Sequence, residues 1–190
     1  MELRTERLLL REWRDEDVEL IAQLVGDPRV GKYLARFSDR QKIDAWIEAE
    51  REYFKRHGYG LFALERLEAT GFIGFCGLIN VGYQARFTPA VEISWRVHPD
   101  HWGHGYATEA AAAIVAFGLE DLELNQIVAI AAVENIASRR VMERIGMSHD
   151  PRDDFDHPLR AVDDPLRRQV LYRLTNQDWR SGREHENPVA

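Results

Sequence analysis

Two glycines separated by one residue, Gly103 and Gly105, stand between an apolar run and an alanine-rich run. The apolar run, Val91–Val97, is typical of a strand and ends before Pro99, whereas the alanines that follow Thr108 favour a helix. A glycine turn that leads into a helix presents unpaired backbone N–H groups at the positive end of the helix dipole, where phosphate binds well. The spacing therefore predicts a phosphate-binding turn at residues 103–105.

The composition limits the classes of protein to which the chain can belong. Its 190 residues carry 25 Lys and Arg against 32 Asp and Glu, a formal net charge of −7. This acidic balance argues against a nucleic-acid-binding surface, and a phosphate ligand then needs a locally positive pocket. The single cysteine, Cys76, lies in an apolar run without a disulfide partner, so we expect a buried and unreactive thiol. The charged N-terminus and the absence of a long apolar run predict a cytoplasmic protein without a signal peptide or membrane span.

The elements that must position the turn are predicted in the order β-α-α-β-β-β-α-β-α-β, which indicates one mixed α/β domain. The second helix is expected to begin at Ser38, in a capping box with Gln41, and to end at Gly58. The predicted strands cover residues 7–13, 59–65, 72–81, 91–97, 126–133 and 170–174, and the other predicted helices cover residues 15–25, 108–119 and 135–145.

The C-terminal part of the chain contains two segments without a clear pattern. Residues 147–165 are rich in Asp and Pro, and we expect a long loop there. Residues 181–190 are polar, and we expect them to form a flexible tail outside a domain of residues 1–180.

Four motifs in register resemble the GCN5-related N-acetyltransferase (GNAT) family, and in particular its RimJ/RimL branch of ribosomal-protein N-terminal acetyltransferases. The resemblance implies a mixed, mostly antiparallel sheet that splays between its fourth and fifth core strands, at residues 91–97 and 126–133. It also implies acetyl-CoA as cofactor, with its pantetheine arm in the gap. The motifs are Thr5-Glu6-Arg7-Leu8-Leu9-Leu10-Arg11, Trp102-Gly103-His104-Gly105-Tyr106-Ala107-Thr108-Glu109-Ala110, Asn135-Ile136-Ala137-Ser138 with Glu143-Arg144-Ile145-Gly146-Met147, and Leu171-Tyr172-Arg173-Leu174.

The pyrophosphate loop of similar proteins has the pattern Gln/Arg-x-x-Gly-x-Gly/Ala, which falls here on residues 102–107 with Trp102 in the first position. The resemblance therefore implies that main-chain N–H groups, rather than a side chain at position 102, bind the phosphates. Three histidines, His98, His101 and His104, surround this loop and either add positive charge or face solvent. The cofactor-binding residues implied by the resemblance are Trp95, Val97, Trp102, Gly103, His104, Gly105, Tyr106, Ala107, Thr108, Asn135 and Arg139.

Acyl transfer from a thioester to an amine requires a neutral amine, stabilisation of the oxyanion and protonation of the departing thiolate. By analogy with similar proteins, the backbone N–H groups of residues 93–97 are the oxyanion and pantetheine donors. Glu92 is the candidate general base, either directly or through water, and it shares a strand face with Ser94 and Arg96. The alternative is a surface glutamate paired with Arg96. Ser138 is the candidate general acid implied by the resemblance, and the alternative is an ordinary serine in the first turn of a helix.

The remaining candidate residues have two interpretations each. Asn135 resembles the residue that binds the pantetheine arm and is also a good helix N-cap. The resemblance implies that Arg139, by its position in the motif, reaches the CoA phosphates. The acidic residues between positions 150 and 164 match no calcium-loop or zinc spacing, so no metal site is expected. They form either a solvated loop or a border of the acceptor cleft that attracts a cationic amine.

Two functions follow from this sequence. The first is an acetyl-CoA-dependent N-acetyltransferase in which a primary amine attacks directly in a ternary complex, without an acyl-enzyme. The amine is a protein N-terminus or a small molecule such as an aminoglycoside, a polyamine or an amino-acid derivative. The second is a CoA-binding sensor or regulatory module of the same fold. No nucleic acid or membrane partner is expected, and both a monomer and a homodimer remain open.

Overall fold

A computed structural model describes residues 1–33, 39–68 and 71–186, without the side chains of residues 184–186. The chain folds into two compact units. The first comprises Met1–Ile79 and Ser94–Ala113, and the second comprises Asn80–Ile93 and Ile114–Ala190.

The helices and strands confirm the predicted mixed α/β class. The strands are β1 Glu2–Arg4, β2 Leu8–Arg11, β3 Leu61–Arg66, β4 Phe72–Asn80, β5 Val91–Val97, β6 Gln126–Ala132, β7 Ser148–His149, β8 Phe155–Asp156 and β9 Arg168–Thr175. The helices are α1 Asp17–Gly26, α2 Arg40–His57, α3 Tyr106–Ala116, α4 Ile136–Arg144 and α5 Asn176–Glu186.

In the first unit, β1, β2, β3 and β4 pair antiparallel in chain order. Helices α1 and α2 place their apolar side chains against β3 and β4, because residues three and four apart lie on one helix face. This arrangement makes an apolar core next to the sheet. The buried members of the core are Trp13, Val18, Ile21, Leu24, Val25, Val30, Ile43, Ile47, Leu61, Ala63 and Phe75.

A buried ion pair fixes the start of α1 on the sheet. The Arg11 guanidinium donates to both carboxylate oxygens of Asp17, at 2.7 and 2.8 Å, and to Glu65 at 2.8 Å. Asp17 also accepts from the backbone N–H of Arg14 at 2.8 Å. Because each buried charge has partners, the guanidinium and the carboxylates hold β2, β3 and α1 in one geometry.

In the second unit, β6 pairs antiparallel with β9 along its whole length, from Gln126 opposite Thr175 to Ala132 opposite Gln169. On its other side β6 pairs in parallel with β5, and the register recorded between them is the single position Glu92 opposite Val128. Such a short parallel contact is what the predicted splay requires. The two-residue strands β7 and β8 both pair with β9.

Helix α2 begins at Arg40, two residues after the predicted start at Ser38. Asp39 is the N-cap residue, and its carboxylate accepts from the backbone N–H of Gln41 at 2.9 Å. Ser38 lies outside the described residues, so its predicted capping box is not tested. The predicted stop at Gly58 is confirmed, since this residue closes α2 in the left-handed conformation with φ +73°.

The structure corrects one prediction about the C-terminal part. Residues 147–165 are not one structureless loop, because β7 and β8 lie within them and take hydrogen-bond partners from β9. Helix α5 extends as far as Glu186, and the flexible tail expected for residues 181–190 stays a prediction. Helix α5 is held by contacts that sequence patterns do not reveal. One of them is the hydrogen bond that the Trp179 indole donates to Glu120 at 3.0 Å.

The remaining differences concern element ends. Strand β1 was not predicted, because three residues are too few to show alternation. Helix α3 begins at Tyr106 rather than Thr108, and a π-helical turn, Phe117–Asp121, follows it. Strand β5 has the predicted bounds, Val91–Val97.

Candidate active site

The predicted phosphate turn lies in the first unit, between β5 and α3. After Val97 the chain makes one short helical turn at Pro99–His101 and then passes through Gly103 and Gly105. Their φ angles are +80° and +82°, a region that residues with a Cβ rarely adopt. Glycine is therefore required at both positions for the chain to enter α3 along this path.

The turn leaves main-chain donors free. Within the described residues, the backbone N–H groups of residues 103–108 donate no hydrogen bond to other turns or loops, and the first N–H groups of a helix have no acceptor inside it. A Cβ added at Gly103 would meet no atom within 4 Å, and one added at Gly105 would meet only the Arg7 guanidinium, at 3.5 Å. These open, convergent donors at a helix start fit the pyrophosphate of a CoA molecule.

The Trp102 side chain is held within the turn, and its predicted contact with the cofactor stays a prediction. Its indole N–H donates to the main-chain oxygen of Val97 at 2.8 Å, and the ring is 51% exposed. The only polar group of this side chain is therefore engaged within the turn. Val97 itself is buried and Trp95 is partly buried, and their predicted contacts with the pantetheine arm stay predictions.

The three histidines around the turn lie in different surroundings. Burial, and next the charge of Arg66, lowers the pKa of His101 below its ordinary value. His104 is exposed and stacks on Tyr106 with ring centres 5.7 Å apart. His98 accepts a hydrogen bond from the backbone N–H of Asp100.

Glu92 lies in the second unit, near the start of β5, and its carboxylate is desolvated. Burial raises the pKa of Glu92 to about 7, and no hydrogen bond or charged partner among the described residues offsets the burial. Burial also lowers the pKa of Arg96, to about 10, and the two interpretations of Glu92 stay predictions. A carboxylate that titrates near neutral pH has the protonation behaviour of a general base.

The start of α4 positions two candidate residues. Asn135 is the N-cap, and its side-chain oxygen accepts from the backbone N–H of Ser138 at 3.2 Å. The Ser138 hydroxyl is partly buried and makes no hydrogen bond with the described residues. It is free to serve as a donor to a ligand.

Arg139 is engaged inside the second unit. Its guanidinium donates to the main-chain oxygen of Val133 at 3.1 Å and to the phenol oxygen of Tyr172 at 3.4 Å. The phenol in turn donates to Glu143 at 2.9 Å. In this arrangement Arg139 stabilises the start of α4, and its contact with the CoA phosphates stays a prediction.

A cavity of about 300 Å³ was not predicted from the sequence. It lies in the second unit, between the loop that precedes β5 and the segment around β8. Phe87 and Phe155 form its aromatic wall, with ring centres 5.0 Å apart. The sequence contained only a weak indication of this cavity, namely aromatic residues in two polar loops that are far apart in the chain. The lining residues are Gln84, Ala85, Arg86, Phe87, Asp153, Phe155, Asp156, Pro158 and Arg173.

Tyr83 connects this cavity wall to Glu92. The Tyr83 ring contacts both Phe87 and Phe155, with centres 6.4 Å away in each case. Burial, and next the negative charge of Glu92, raise the pKa of the Tyr83 phenol. Among the described residues, this phenol oxygen is buried without a hydrogen-bond partner, so an unpaired polar group lies beside the aromatic wall.

The acidic segment between residues 150 and 164 is largely neutralised by its own contacts, which weakens the expectation that it attracts a cation. Asp153 pairs with Arg173 at 2.8 Å, and Asp156 lies 3.4 Å from both Arg167 and Arg168. In contrast, Arg86 at the cavity has no ion pair in the described part of the chain and donates to the main-chain oxygen of Arg152. The other pairs are Asp150 with Arg152, Asp154 with His149, and Asp164 with Arg160.

The described residues contain neither a metal-binding cluster nor a membrane-spanning helix. No cluster of three or more His, Cys, Asp or Glu side chains is arranged to hold a metal ion. None of the described helices has both the length and the apolar character needed to cross a membrane.

Cys76 is fully buried, and burial raises the pKa of its thiol well above the ordinary value.

Comparison with known proteins agrees with this geometry. Residues 7–148 match the family described as "Acetyltransferase (GNAT) domain". The chain is 32% identical to the uncharacterized protein YkkB of Bacillus subtilis over 76% of this chain and 84% of that protein. It is 30% identical to the uncharacterized N-acetyltransferase YnaD of Bacillus subtilis over 94% of this chain and 99% of that protein. The solved acetyltransferase from Agrobacterium tumefaciens is 27% identical, with a TM-score of 0.71 over 92% of this chain and 94% of that one.

Two more distant solved structures share the fold and contain coenzyme A. Spermidine N-acetyltransferase from Vibrio cholerae, in complex with CoA and spermine, is 18% identical with a TM-score of 0.73 over 92% of this chain and 99% of that one. The ribosomal-protein acetyltransferase RimL, in complex with CoA, is 14% identical with a TM-score of 0.74 over 92% of this chain and 98% of that one. At these identities the likeness concerns the fold alone.

Proposed function

Because this chain belongs to the GNAT acetyltransferase family, it is an N-acetyltransferase that uses acetyl-CoA, and we propose that a primary amine attacks the acetyl group directly while both substrates are bound. The observation that carries the proposal is the turn at residues 103–105. Its two positive-φ glycines leave main-chain N–H groups without acceptors at the start of α3. These groups, with those of Tyr106, Ala107 and Thr108, hold the pyrophosphate of the cofactor.

Glu92 is the proposed general base. Its carboxyl has a pKa of about 7, so near neutral pH a large fraction is ionised and able to accept the proton of the attacking amine. A carboxylate of ordinary pKa would be ionised but too weakly basic for efficient proton transfer. The absence of a charged partner among the described residues leaves the carboxylate available for the ammonium group of the acceptor.

Ser138 is the proposed proton donor. Acetyl-CoA supplies the acyl group as a thioester, whose sulfur needs a proton or a hydrogen bond as it departs. The Ser138 hydroxyl has no partner in the described part of the chain, and the Asn135 cap fixes the backbone that carries it. The backbone N–H groups of residues 93–97 on β5 are the proposed donors to the developing oxyanion and to the pantetheine arm.

We propose that the acceptor binds in the cavity formed by Phe87 and Phe155. The contacts of Tyr83 with both rings, and its electrostatic coupling to Glu92, support this location. The cavity volume of about 300 Å³ suits a small amine or the first residue of a peptide.

The charges at the cavity favour a monoamine with an apolar or aromatic body. Asp153 and Asp156 are already paired with arginines, so they offer little to a polycation. Arg86 adds a guanidinium without an ionic partner among the described residues, and it can accept a carboxylate on the acceptor. These features suit an amino-acid derivative or a protein N-terminus better than a polyamine.

The proposal is tested by measuring thiol release from acetyl-CoA against a panel of amines. The panel contains an aromatic monoamine, an aromatic amino-acid amide, spermine and a short peptide with a free N-terminus. We expect transfer to the aromatic amines or the peptide and little transfer to spermine. The product is identified by its added acetyl mass, because thiol release alone also follows hydrolysis.

Binding of acetyl-CoA is measured alongside by calorimetry. Tight binding without transfer to any amine would instead indicate a CoA-binding sensor of the same fold. Absence of both binding and transfer would contradict the proposed cofactor site. The oligomeric state, monomer or homodimer, and a cytoplasmic location stay predictions.

A further inference from the structure

The N-terminal motif contains two residues, Thr5 and Arg7, that the proposed chemistry does not use. Both hold the carboxylate of Glu109, in the first turn of α3. The Thr5 hydroxyl and the Arg7 backbone N–H donate to one carboxylate oxygen, at 2.5 and 2.9 Å. The Arg7 guanidinium donates to the other oxygen at 2.6 Å. Because each of its oxygens accepts from at least one of these groups, the Glu109 carboxylate is held in one orientation.

The same guanidinium also contacts the phosphate turn. It donates to the main-chain oxygen of His104 at 3.0 Å and lies over the Tyr106 ring, 4.8 Å from its centre. Its outer nitrogen lies 3.5 Å from the position that a Cβ on Gly105 would occupy. Arg7 therefore contacts the turn on both sides of Gly105, and it connects the turn to α3 through Glu109.

The charge of Glu109 matters because of where it lies. Although burial opposes ionisation, the hydrogen bonds from Thr5 and Arg7 keep the pKa of Glu109 below its ordinary value. The group is thus a carboxylate at the end of α3 where the pyrophosphate is proposed to bind. An uncompensated carboxylate there would repel the phosphates, and the guanidinium of Arg7 removes that repulsion.

We propose that Arg7 is a positioning residue for the cofactor: it holds residues 104–106 in the anion-binding conformation and cancels the charge of Glu109. This inference rests on the proposed cofactor site at the glycine turn. It gives the N-terminal motif a physical role, since the segment between β1 and β2 then supports the turn. The backbone N–H groups remain the direct phosphate ligands.

The test compares Arg7→Gln, Glu109→Gln and the double variant in the full-length protein. Affinity for acetyl-CoA is measured by calorimetry at low and high salt, and the melting temperature is measured without ligand. We expect Arg7→Gln to weaken acetyl-CoA binding roughly tenfold or more at low salt. In this variant the negative charge of Glu109 is no longer compensated, and its partly buried position leaves it poorly screened by solvent. The double variant should recover part of the loss, and high salt should reduce the loss in the single variant.

Arg51→Gln is the matched control in the same unit. Arg51 also pairs with a carboxylate, Asp15 at 2.7 Å, and donates to the main-chain oxygen of Trp13. Its loss should affect the melting temperature without changing affinity for acetyl-CoA. A second variant, Arg7→Lys, retains the charge but not the forked contacts. It should weaken binding by a smaller factor that does not depend on salt.

The outcomes separate this inference from the proposed function. If the wild-type protein fails to bind acetyl-CoA, the proposed cofactor site is wrong. If the wild-type protein binds and the Arg7→Gln and Arg7→Lys variants bind equally well, the cofactor site stands and the role of Arg7 is wrong. A loss that is the same in the single and double variants at both salt concentrations would contradict the charge cancellation.

Discussion

The side-chain oxygen of Asn135 accepts a hydrogen bond from the backbone N–H of Ser138 at 3.2 Å. This contact makes Asn135 the N-cap of α4 and leaves the Ser138 hydroxyl without a partner in the described part of the chain. The stability of the helix start therefore depends on one residue, and the proposed proton donation depends on the other. Substitutions can separate the two roles.

We expect Ser138→Ala to lower kcat by roughly 10-fold to 100-fold, within the range of a lost proton donor or relay, while the melting temperature and acetyl-CoA affinity stay unchanged. Asn135→Ala should instead lower the free energy of unfolding by about 1 kcal/mol, because the cap is lost. Steady-state kinetics and urea unfolding measure the two effects. Asn135→Asp, which retains a capping oxygen, is the control for stability. A wild-type kcat in Ser138→Ala would show that the hydroxyl has no part in the reaction.

The position of this cap could be predicted because it depends on neighbours in the sequence. The same is true of β5, in which apolar residues alternate with polar ones from Val91 to Val97, and of the turn that follows. In each case the chain within a few residues contains the determining pattern. Local sequence was therefore enough to locate the glycine turn and the start of α4.

The cavity beside Phe87 and Phe155 and the contact between Arg7 and Glu109 could not be predicted in this way. The rings of Phe87 and Phe155 meet because β5 and β9 bring their loops together, and neither loop shows a pattern of its own. Likewise, the sequence around the aspartates after position 150 indicates an acidic patch. The arginines that pair with some of these aspartates lie on β9, and only the fold brings them together.

The raised pKa of Glu92 leads to a prediction about pH. The carboxylate form is the proposed base, so kcat/KM should rise with pH, pass through its midpoint near pH 7 and then level off. The assay uses an aromatic amine that stays neutral over this range, so that the acceptor does not add its own titration. Glu92→Gln should reduce kcat/KM by roughly 10²- to 10⁴-fold and remove the rise. A rise that persists in the variant would assign the titration to another group.

The titration of Glu92 should lower the free energy of unfolding as the pH rises, whereas it raises kcat/KM. The pKa of Glu92 is about 7 in the folded protein against an ordinary 4.5, so between these values the folded chain binds one more proton than the unfolded chain. Its contribution to stability is present below pH 4.5 and is lost as the pH rises to about 7. Compared with the wild type, Glu92→Gln should become relatively more stable between pH 5 and pH 8. Urea unfolding at both pH values measures the difference in the free energy of unfolding between the variant and the wild type. Titrations that the two proteins share cancel in this difference.

Gly105→Ala tests the turn without adding charge. At φ +82° an added Cβ is strained, and the free protein relieves the strain by moving the backbone N–H groups out of position. Restoring the turn on binding costs about 1–2 kcal/mol, so we expect acetyl-CoA to bind about tenfold more weakly. Gly58→Ala, at φ +73° on the end of α2, is the matched control for strain alone. Equal affinity in both variants would contradict phosphate binding by the turn.

The aromatic wall of the cavity provides the last prediction. If Phe87 and Phe155 hold the body of the acceptor, replacing either by Ala should raise the KM for an aromatic amine by roughly tenfold, as expected for lost apolar contact, with little change in the KM for acetyl-CoA. Leu159→Ala is the control in the same segment, since this side chain is 76% exposed and does not line the cavity. Steady-state kinetics with each substrate varied in turn separate the two KM values. A rise in both, or a rise in the control as well, would contradict an acceptor site in this cavity.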